Sequence, residues 1–196
     1  MNKRARNKEQ NENEILSTAI RLFVQKGDDA TTIGDIVSAT SLARGTFYNY
    51  FEDKKEIWDL IISRIMQEMY RSADRERSQS TSVRDFIYTS LYSVMLLFDA
   101  EPYRQLITNN SALFRDAFFR NKEIDIIIEI FESDMRKSTL FQKLPDYYYR
   151  MTVYALQGSC LEILIQSYQR DDKFSVEQIT EYITATFENS LLEVGN

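Results

Sequence analysis

Arg44, Gly45, Thr46, Tyr48, Asn49 and Tyr50 crowd together between Leu42 and Phe51, inside the stretch TTIGDIVSATSLARGTFYNYFEDKK that runs from Thr31 to Lys55. Side chains of these types read a polar surface. A guanidinium at Arg44 pairs with a guanine edge or a phosphate, and Thr46 and Asn49 offer hydrogen bonds. Gly45 lets a backbone approach closely, and the phenols of Tyr48 and Tyr50 can reach phosphate oxygens. Catalytic and metal chemistry is poorly supplied. The chain has no His, hence neither the commonest general base nor the commonest metal ligand, and its single Cys160 has no partner for an internal disulfide.

To present such residues, a short helix must hold them outward on a packed support. Thr32 can cap one helix while Asp35 completes a Thr-x-x-Asp box, with Ile33, Ile36 and Val37 as its buried face. After the turn Thr40-Ser41-Leu42, the pattern predicts a second helix from about Ala43 to Tyr50, with Leu42, Phe47 and Phe51 packed inward. A helix of that length spans about 10 Å, and a major groove is about 12 Å wide. The arrangement is a helix-turn-helix, and double-stranded DNA is the expected partner.

The flanking chain supplies the support. Upstream, the pattern predicts a helix from about Glu12 to Lys26, capped by Asn11 with Glu14 in a capping box. Ile15, Ala19, Leu22 and Phe23 share one of its faces, and Gly27 ends it in the left-handed conformation. Downstream, Asp53 and Glu56 cap a helix from Lys54 to about Ala73, striped by Ile57, Ile61, Ile65 and Met69, and Lys54 at its start can meet a phosphate. The run DRERSQSTS at 74–82 reads as a frayed helix end and linker. Beyond it the pattern predicts a helix from the Ser82 cap to Asp99 and a short one opened by Pro102. One long or two broken segments follow between Ala112 and Lys137, then a helix from Pro145 through Arg170 and a last one from the Ser175–Gln178 box to about Leu192. The expected fold is all-α, about nine helices, divided into a three-helix helix-turn-helix domain over 1–56 and a helical effector-binding and dimerisation domain over 57–196.

Composition agrees with a packed helical protein: of 196 residues 43% are hydrophobic and 28% charged, with only 5 Gly and 2 Pro. The net charge of −6 argues against a polyanion partner until its distribution is considered. Lys3, Arg4, Arg6 and Lys8 form a basic arm without an acid, residues 1–58 balance to zero, and the whole excess of acid lies beyond. One end can therefore meet DNA. No apolar run approaches the roughly 20 residues of a membrane span, and the N-terminus lacks the apolar segment of a signal peptide. A cytoplasmic protein with no membrane partner, no cofactor and no metal is expected.

The segment IVSATSLARGTFYNYFEDK, Ile36 to Lys54, resembles the N-terminal signature of the tetracycline-repressor (TetR/AcrR) family. Gly45, Thr46, Phe47, Tyr48, Phe51 and Lys54 stand where that pattern wants them, as do Phe23, Gly27, Thr32 and Ile36. Two positions depart from it. Ser41 replaces a frequent Gly in the turn, and Ala43 replaces a frequent capping Ser, removing a cap of about 1 kcal/mol unless Ser41 caps from one turn earlier.

The resemblance implies a two-fold dimer on a palindromic operator, with the last two helices of each chain forming a four-helix bundle. Ala155, Gly158, Ser159 and Leu191 are the expected interface residues. It also implies an effector cavity among the C-terminal helices, with Tyr92, Met95, Phe118 and Tyr154 suited to a small hydrophobic ligand and Glu162 to a cationic group. The resulting expectation is a repressor released by a small ligand, with Thr32, Arg44, Gly45, Thr46, Tyr48, Asn49, Tyr50, Lys54, Lys3, Arg4 and Arg6 on the DNA. The alternatives are a DNA-binding protein answering to a protein partner or organising the chromosome, and, remotely, a helical enzyme or scaffold.

Overall fold

The computed structural model describes residues 3–77, 79–170 and 174–195. Among these residues the structure is all-helical: α1 Lys3–Lys26, α2 Ile33–Ser38, α3 Arg44–Phe47, α4 Lys54–Arg77, α5 Val83–Asp99, α6 Tyr103–Asn109, α7 Ser111–Arg120, α8 Glu123–Lys137, α9 Asp146–Gln169 and α10 Val176–Gly195. A single 3-10 turn, Thr139–Phe141, joins α8 to α9. The count is ten rather than about nine because the chain breaks at Asn121, where the residues of α7 and α8 would otherwise run on. Asn121 leaves the helical conformation there, and its side-chain oxygen accepts the N–H of Glu123 at 2.9 Å.

The N-terminal helices close on an aromatic core. Phe23 of α1 and Trp58 of α4 stack with ring centroids 5.0 Å apart, and Ile15, Ile36 and Phe47 are fully buried around them. Burying each such side chain stabilises the fold by roughly 1.5–3 kcal/mol, which fixes the short α2 and α3 against helices that could not otherwise hold them. Thr32 caps α2 as expected: its hydroxyl accepts the Asp35 N–H, and the Asp35 carboxylate accepts the Thr32 N–H. The Asp35 carboxyl is held well below its usual range, first by that N–H and then by Lys26, 2.9 Å away.

Three boundaries differ from the sequence reading. Helix α1 begins at Lys3, not near Glu12, so Asn11 lies mid-helix and caps nothing; its amide donates to the Tyr50 hydroxyl at 3.1 Å. Glu14 does not box that helix either, because its carboxylate accepts from both the N–H and the hydroxyl of Ser41 in the α2–α3 turn. Ser41, so engaged, does not cap α3, and Ala43 at the N-cap has no side-chain hydrogen bond. With its start uncapped, α3 is a single turn, Arg44–Phe47, rather than a helix reaching Tyr50. Residues 48–51 continue as hydrogen-bonded turns, Tyr50 N–H to the Phe47 carbonyl at 2.9 Å and Phe51 N–H to the same oxygen at 3.2 Å. Finally, α4 extends past Ala73 into the stretch read as a frayed helix end and linker, and ends at Arg77, which is buried.

The C-terminal helices continue the same buried core. Helix α5 lies between α4 and α10, and α9 packs on α8 and α10. Arg84 of α5 clamps α10 through Glu181 and Glu188.

Candidate nucleic-acid interface

Phe47 anchors α3 inward and is fully buried, so one helical turn carries Arg44, Gly45 and Tyr48 outward. Arg44 lies over the Tyr48 ring at 5.9 Å, an arrangement that steadies a long cationic side chain without covering it. Tyr48 is 43% exposed, Asn49 is exposed, and Thr46 and Tyr50 are half-buried. A Cβ added at Gly45 would meet nothing within 4 Å, so the chain's own packing leaves that surface open. Thr32 is exposed at the start of α2, where its hydroxyl serves as the cap.

Lys54 is the site residue the structure redirects most. Its ammonium donates to the backbone carbonyl of Asp28 at 2.7 Å and to the Asp28 carboxylate at 2.9 Å, while the same carboxylate accepts the Trp58 indole N–H at 3.0 Å. Lys54 therefore first holds the α1–α2 loop onto α4. The pairing also neutralises Asp28, an acid that would otherwise repel a phosphate.

Lys3, Arg4 and Arg6 are exposed on the first turns of α1 rather than strung along a separate arm. That helix start stands beside the end of the reading turn, where Arg4, Asn7 and Lys8 face Asn49 and Tyr50 across an open cleft. Lys8 belongs to the basic arm read in the sequence, whereas Asn7 was not singled out; the polar, helix-compatible run NKEQNEN ahead of Ile15 allows α1 to begin early and brings both to this cleft.

A cavity of about 100 Å³ lies between α4, α5, α7, α8 and α9, with an almost wholly apolar wall that includes Leu91, Phe98, Phe118, Ile128 and Leu156. Of the five ligand residues expected from sequence, Phe118 alone lines it. Met95 is fully buried in the core elsewhere. Tyr92 turns toward α10 and donates to Glu177 at 3.2 Å, a bond that raises its pKa. Tyr154 is 52% exposed and Glu162 is exposed, because α9 turns Val153, Leu156, Cys160 and Leu161 inward and these two outward. The Glu162 carboxylate is bonded to Gln166 and then to Arg115, 2.8 Å away, and both hold its pKa down. Cys160 lines the cavity, and burial pushes its thiol up to about 12, leaving a small neutral wall residue. Arg77, missed in the sequence, also lines it. Among the described residues no group of three His, Cys, Asp or Glu could hold a metal ion.

On the outer side of α9, Ala155 is exposed and Gly158 and Ser159 are half-buried, beside the exposed Tyr147, Met151 and Tyr154. Leu191 does not join them: it is buried within its own chain at 4% exposure, turned inward from α10.

Residues 15–60, spanning this helix-turn-helix and the start of α4, match the family model for bacterial regulatory proteins of the tetR family. The matched segment is thus a tetR-family helix-turn-helix. The chain is 28% identical over 81 residues to the Bacillus subtilis protein named Uncharacterized HTH-type transcriptional regulator YhgD, covering 41% of this chain and 42% of the other. It is 44% identical over 55 residues to the HTH-type transcriptional regulator AcrR of Shigella flexneri, covering 26% of each. These matches span less than half the length of the curated relatives. The fold extends the likeness: NalD of Pseudomonas aeruginosa, the secondary repressor of the MexAB-OprM multidrug efflux pump, superposes with a TM-score of 0.68 at 20% identity. That superposition covers 93% of this chain and 98% of NalD. No helix among the described residues is long and apolar enough to cross a membrane.

Proposed function

We propose that this TetR-family chain is a DNA-binding transcriptional repressor that acts as a homodimer and is released from a palindromic operator by a small hydrophobic effector. The observation that carries the reading is the outward face of α3. Arg44, Tyr48 and Asn49 are exposed on a turn anchored by a fully buried Phe47, and Gly45 keeps a backbone surface open with nothing of its own chain against it. Such a turn reads only a few base edges, so two copies about one helical repeat apart supply the specificity that one lacks. Thr46, Tyr50 and Thr32 complete the contact surface, with Lys3, Arg4 and Arg6 on neighbouring phosphates and Lys54 adding charge from within its ion pair. The role is binding rather than catalysis, in the cytoplasm where the DNA is.

The working division is a DNA-reading unit over 1–56 and an effector and dimer unit over 57–196, with α4 continuous between them. Release follows from the size of the cavity. At about 100 Å³ it is smaller than the roughly 300–1,000 Å³ that drug-sized ligands occupy, so an effector must displace the walls, α4 among them. A ligand that prefers the displaced state shifts the dimer toward it, and a coupling of about 1–3 kcal/mol changes operator affinity roughly 5- to 150-fold. The likeness of fold to NalD, the secondary repressor of an efflux pump, supports repression as the outcome.

The test is fluorescence anisotropy on DNA flanking the chain's own gene. Native protein is expected to select and saturate one fragment. Arg44→Ala with Tyr48→Ala should lose that binding while circular dichroism and thermal unfolding stay unchanged. Undiminished binding by the double variant would remove α3 as the reading element.

A further inference from the structure

The cavity wall carries one charged side chain, Arg77, near the end of α4. Its side chain is only 5% exposed, and the guanidinium lies over the Phe131 ring at 5.1 Å. Nε and Nη2 both donate to Oδ2 of Asp134, at 3.0 and 2.6 Å. A buried guanidinium keeps its charge and requires an anion beside it. One anion beside it, Asp134, is placed differently from the arginine itself. Asp134, on α8, is 31% exposed, six times as much as its partner, so water already reaches its carboxylate side. Arg77 thus belongs to the apolar wall, whereas Asp134 stands outside the cavity lining and is partly exposed to solvent.

We propose that the effector is an anionic amphiphile, whose carboxylate displaces Asp134 from Arg77 while its hydrocarbon tail lies among Leu91, Phe98, Phe118 and Leu156. The inference rests on the release reading only for calling the ligand an effector; the binding site stands on its own geometry. The planar guanidinium matches a carboxylate with paired, charge-assisted hydrogen bonds, and these strengthen where water is excluded. Exchange keeps the number of buried charges constant: one carboxylate leaves for solvent as another arrives, so binding does not require burying a new unpaired ion. A cationic head would instead be repelled by Arg77, and a neutral hydroxyl cannot replace the Asp134 anion. The exchange also cuts the tie between α4 and α8 that the Arg77–Asp134 pair makes.

The test is isothermal calorimetry on the full-length protein without DNA, using octanoate, octanol and octylammonium, which share a tail and differ in the head. Octanoate is expected to bind about tenfold or more tightly than octanol, and octylammonium not to bind. Arg77→Met should bring octanoate down to the octanol level and leave octanol unchanged, and Arg77→Lys should restore part of the preference. Equal binding of octanoate and octanol overturns the proposal, as does an Arg77→Met variant that weakens both alike, or no binding by any of the three. The head-group series on native protein decides even if Arg77→Met fails to fold. Octanoate held through Arg77 without loosening of DNA would overturn the release reading and leave this site standing, whereas DNA released by uncharged ligands with octanoate ignored would do the reverse.

Discussion

The side-chain carbonyl of Asn110 accepts the backbone N–H of Asp28 at 2.7 Å. Asn110 sits at the corner between α6 and α7, and its amide donates to the Phe23 carbonyl at the end of α1 and to the Leu106 carbonyl of α6. Asp28 in turn holds Lys54 and Trp58 at the start of α4. One buried amide thus joins the C-terminal helices to the loop that positions the DNA-reading turns. Asn110→Leu keeps the volume and deletes every one of these bonds, stranding the Asp28 N–H. The expected loss is about 1–3 kcal/mol, read as a lower urea midpoint at unchanged slope. On the proposed release mechanism, release of DNA by effector should weaken more than DNA binding itself, since the α1–α2 loop loses its tie to the α6–α7 corner while α3 keeps its own support.

Gly27 ends α1 with φ of 78°, the left-handed region that a side chain resists. Space is not the obstacle: an added Cβ would meet the Asn109 carbonyl at 3.8 Å, ordinary contact. Gly27→Ala should therefore cost about 1–2 kcal/mol from the backbone alone, measured by denaturant unfolding. A loss well above that would mean the Asn109–Asn110 corner is displaced too.

These two residues also mark where the sequence was readable. Gly27 announces itself, because a glycine after an apolar-striped helix has one local meaning, and so do the Thr32 cap and the inward Phe47. Asn110 carries no local signal: an asparagine in ITNNSA is a turn residue until its partners 82 positions away are known. The same holds for Lys54, whose pairing with Asp28 crosses the fold. The cavity was misread for a different reason. Tyr92, Tyr154 and Glu162 were chosen by chemistry, whereas lining a cavity depends on helix phase, and α9 is apolar on both sides, so no stripe reveals which side faces in. Arg77 was hidden because its neighbourhood, DRERSQSTS, is too polar to suggest a buried helix end.

Glu132 gives a pH dependence with a defined sign. Its two oxygens accept from Arg150 at 2.7 Å and from Arg136 at 2.8 and 2.9 Å, tying α8 to α9, and these bonds hold its pKa below the ordinary 4.5. A carboxyl depressed by folding stabilises the fold fully above its unfolded value and loses that contribution as pH falls through the folded one. Native protein should therefore be more stable than Glu132→Gln at pH 7, and the gap should close as pH drops below 4.5. Thermal unfolding at a series of pH values checks it; a gap that does not change with pH would assign the variant's loss to packing.

If the start of α1 touches the duplex, its charges should appear in the salt dependence of binding. Each phosphate contact adds about 0.9 to the slope of log affinity against log salt. Arg4→Gln with Lys8→Gln should lower that slope by about 1 to 2 and weaken binding alike on specific and random DNA. An unaltered slope would place this helix start in solvent, with Asn49 and Tyr50 acting without it.

Gly158 offers a test of the proposed dimer. Within one copy, a Cβ at this position meets nothing within 4 Å, so Gly158→Ala should favour α9 by up to about 1 kcal/mol on helix propensity alone. Its neighbours on the outer face, Tyr147, Met151 and Tyr154, are 63%, 61% and 52% exposed, an apolar stripe that water disfavours and a second copy would cover. Where two such helices cross at their small residues, an added methyl on each side pushes the backbones apart. Gly158→Ala is thus expected to raise the dimer dissociation constant in sedimentation velocity while leaving the unfolding of the dilute monomer unchanged or improved. Opposite signs from one methyl group mark a close crossing at Gly158. A variant that gains stability and still associates as the native chain does would place the interface on another face.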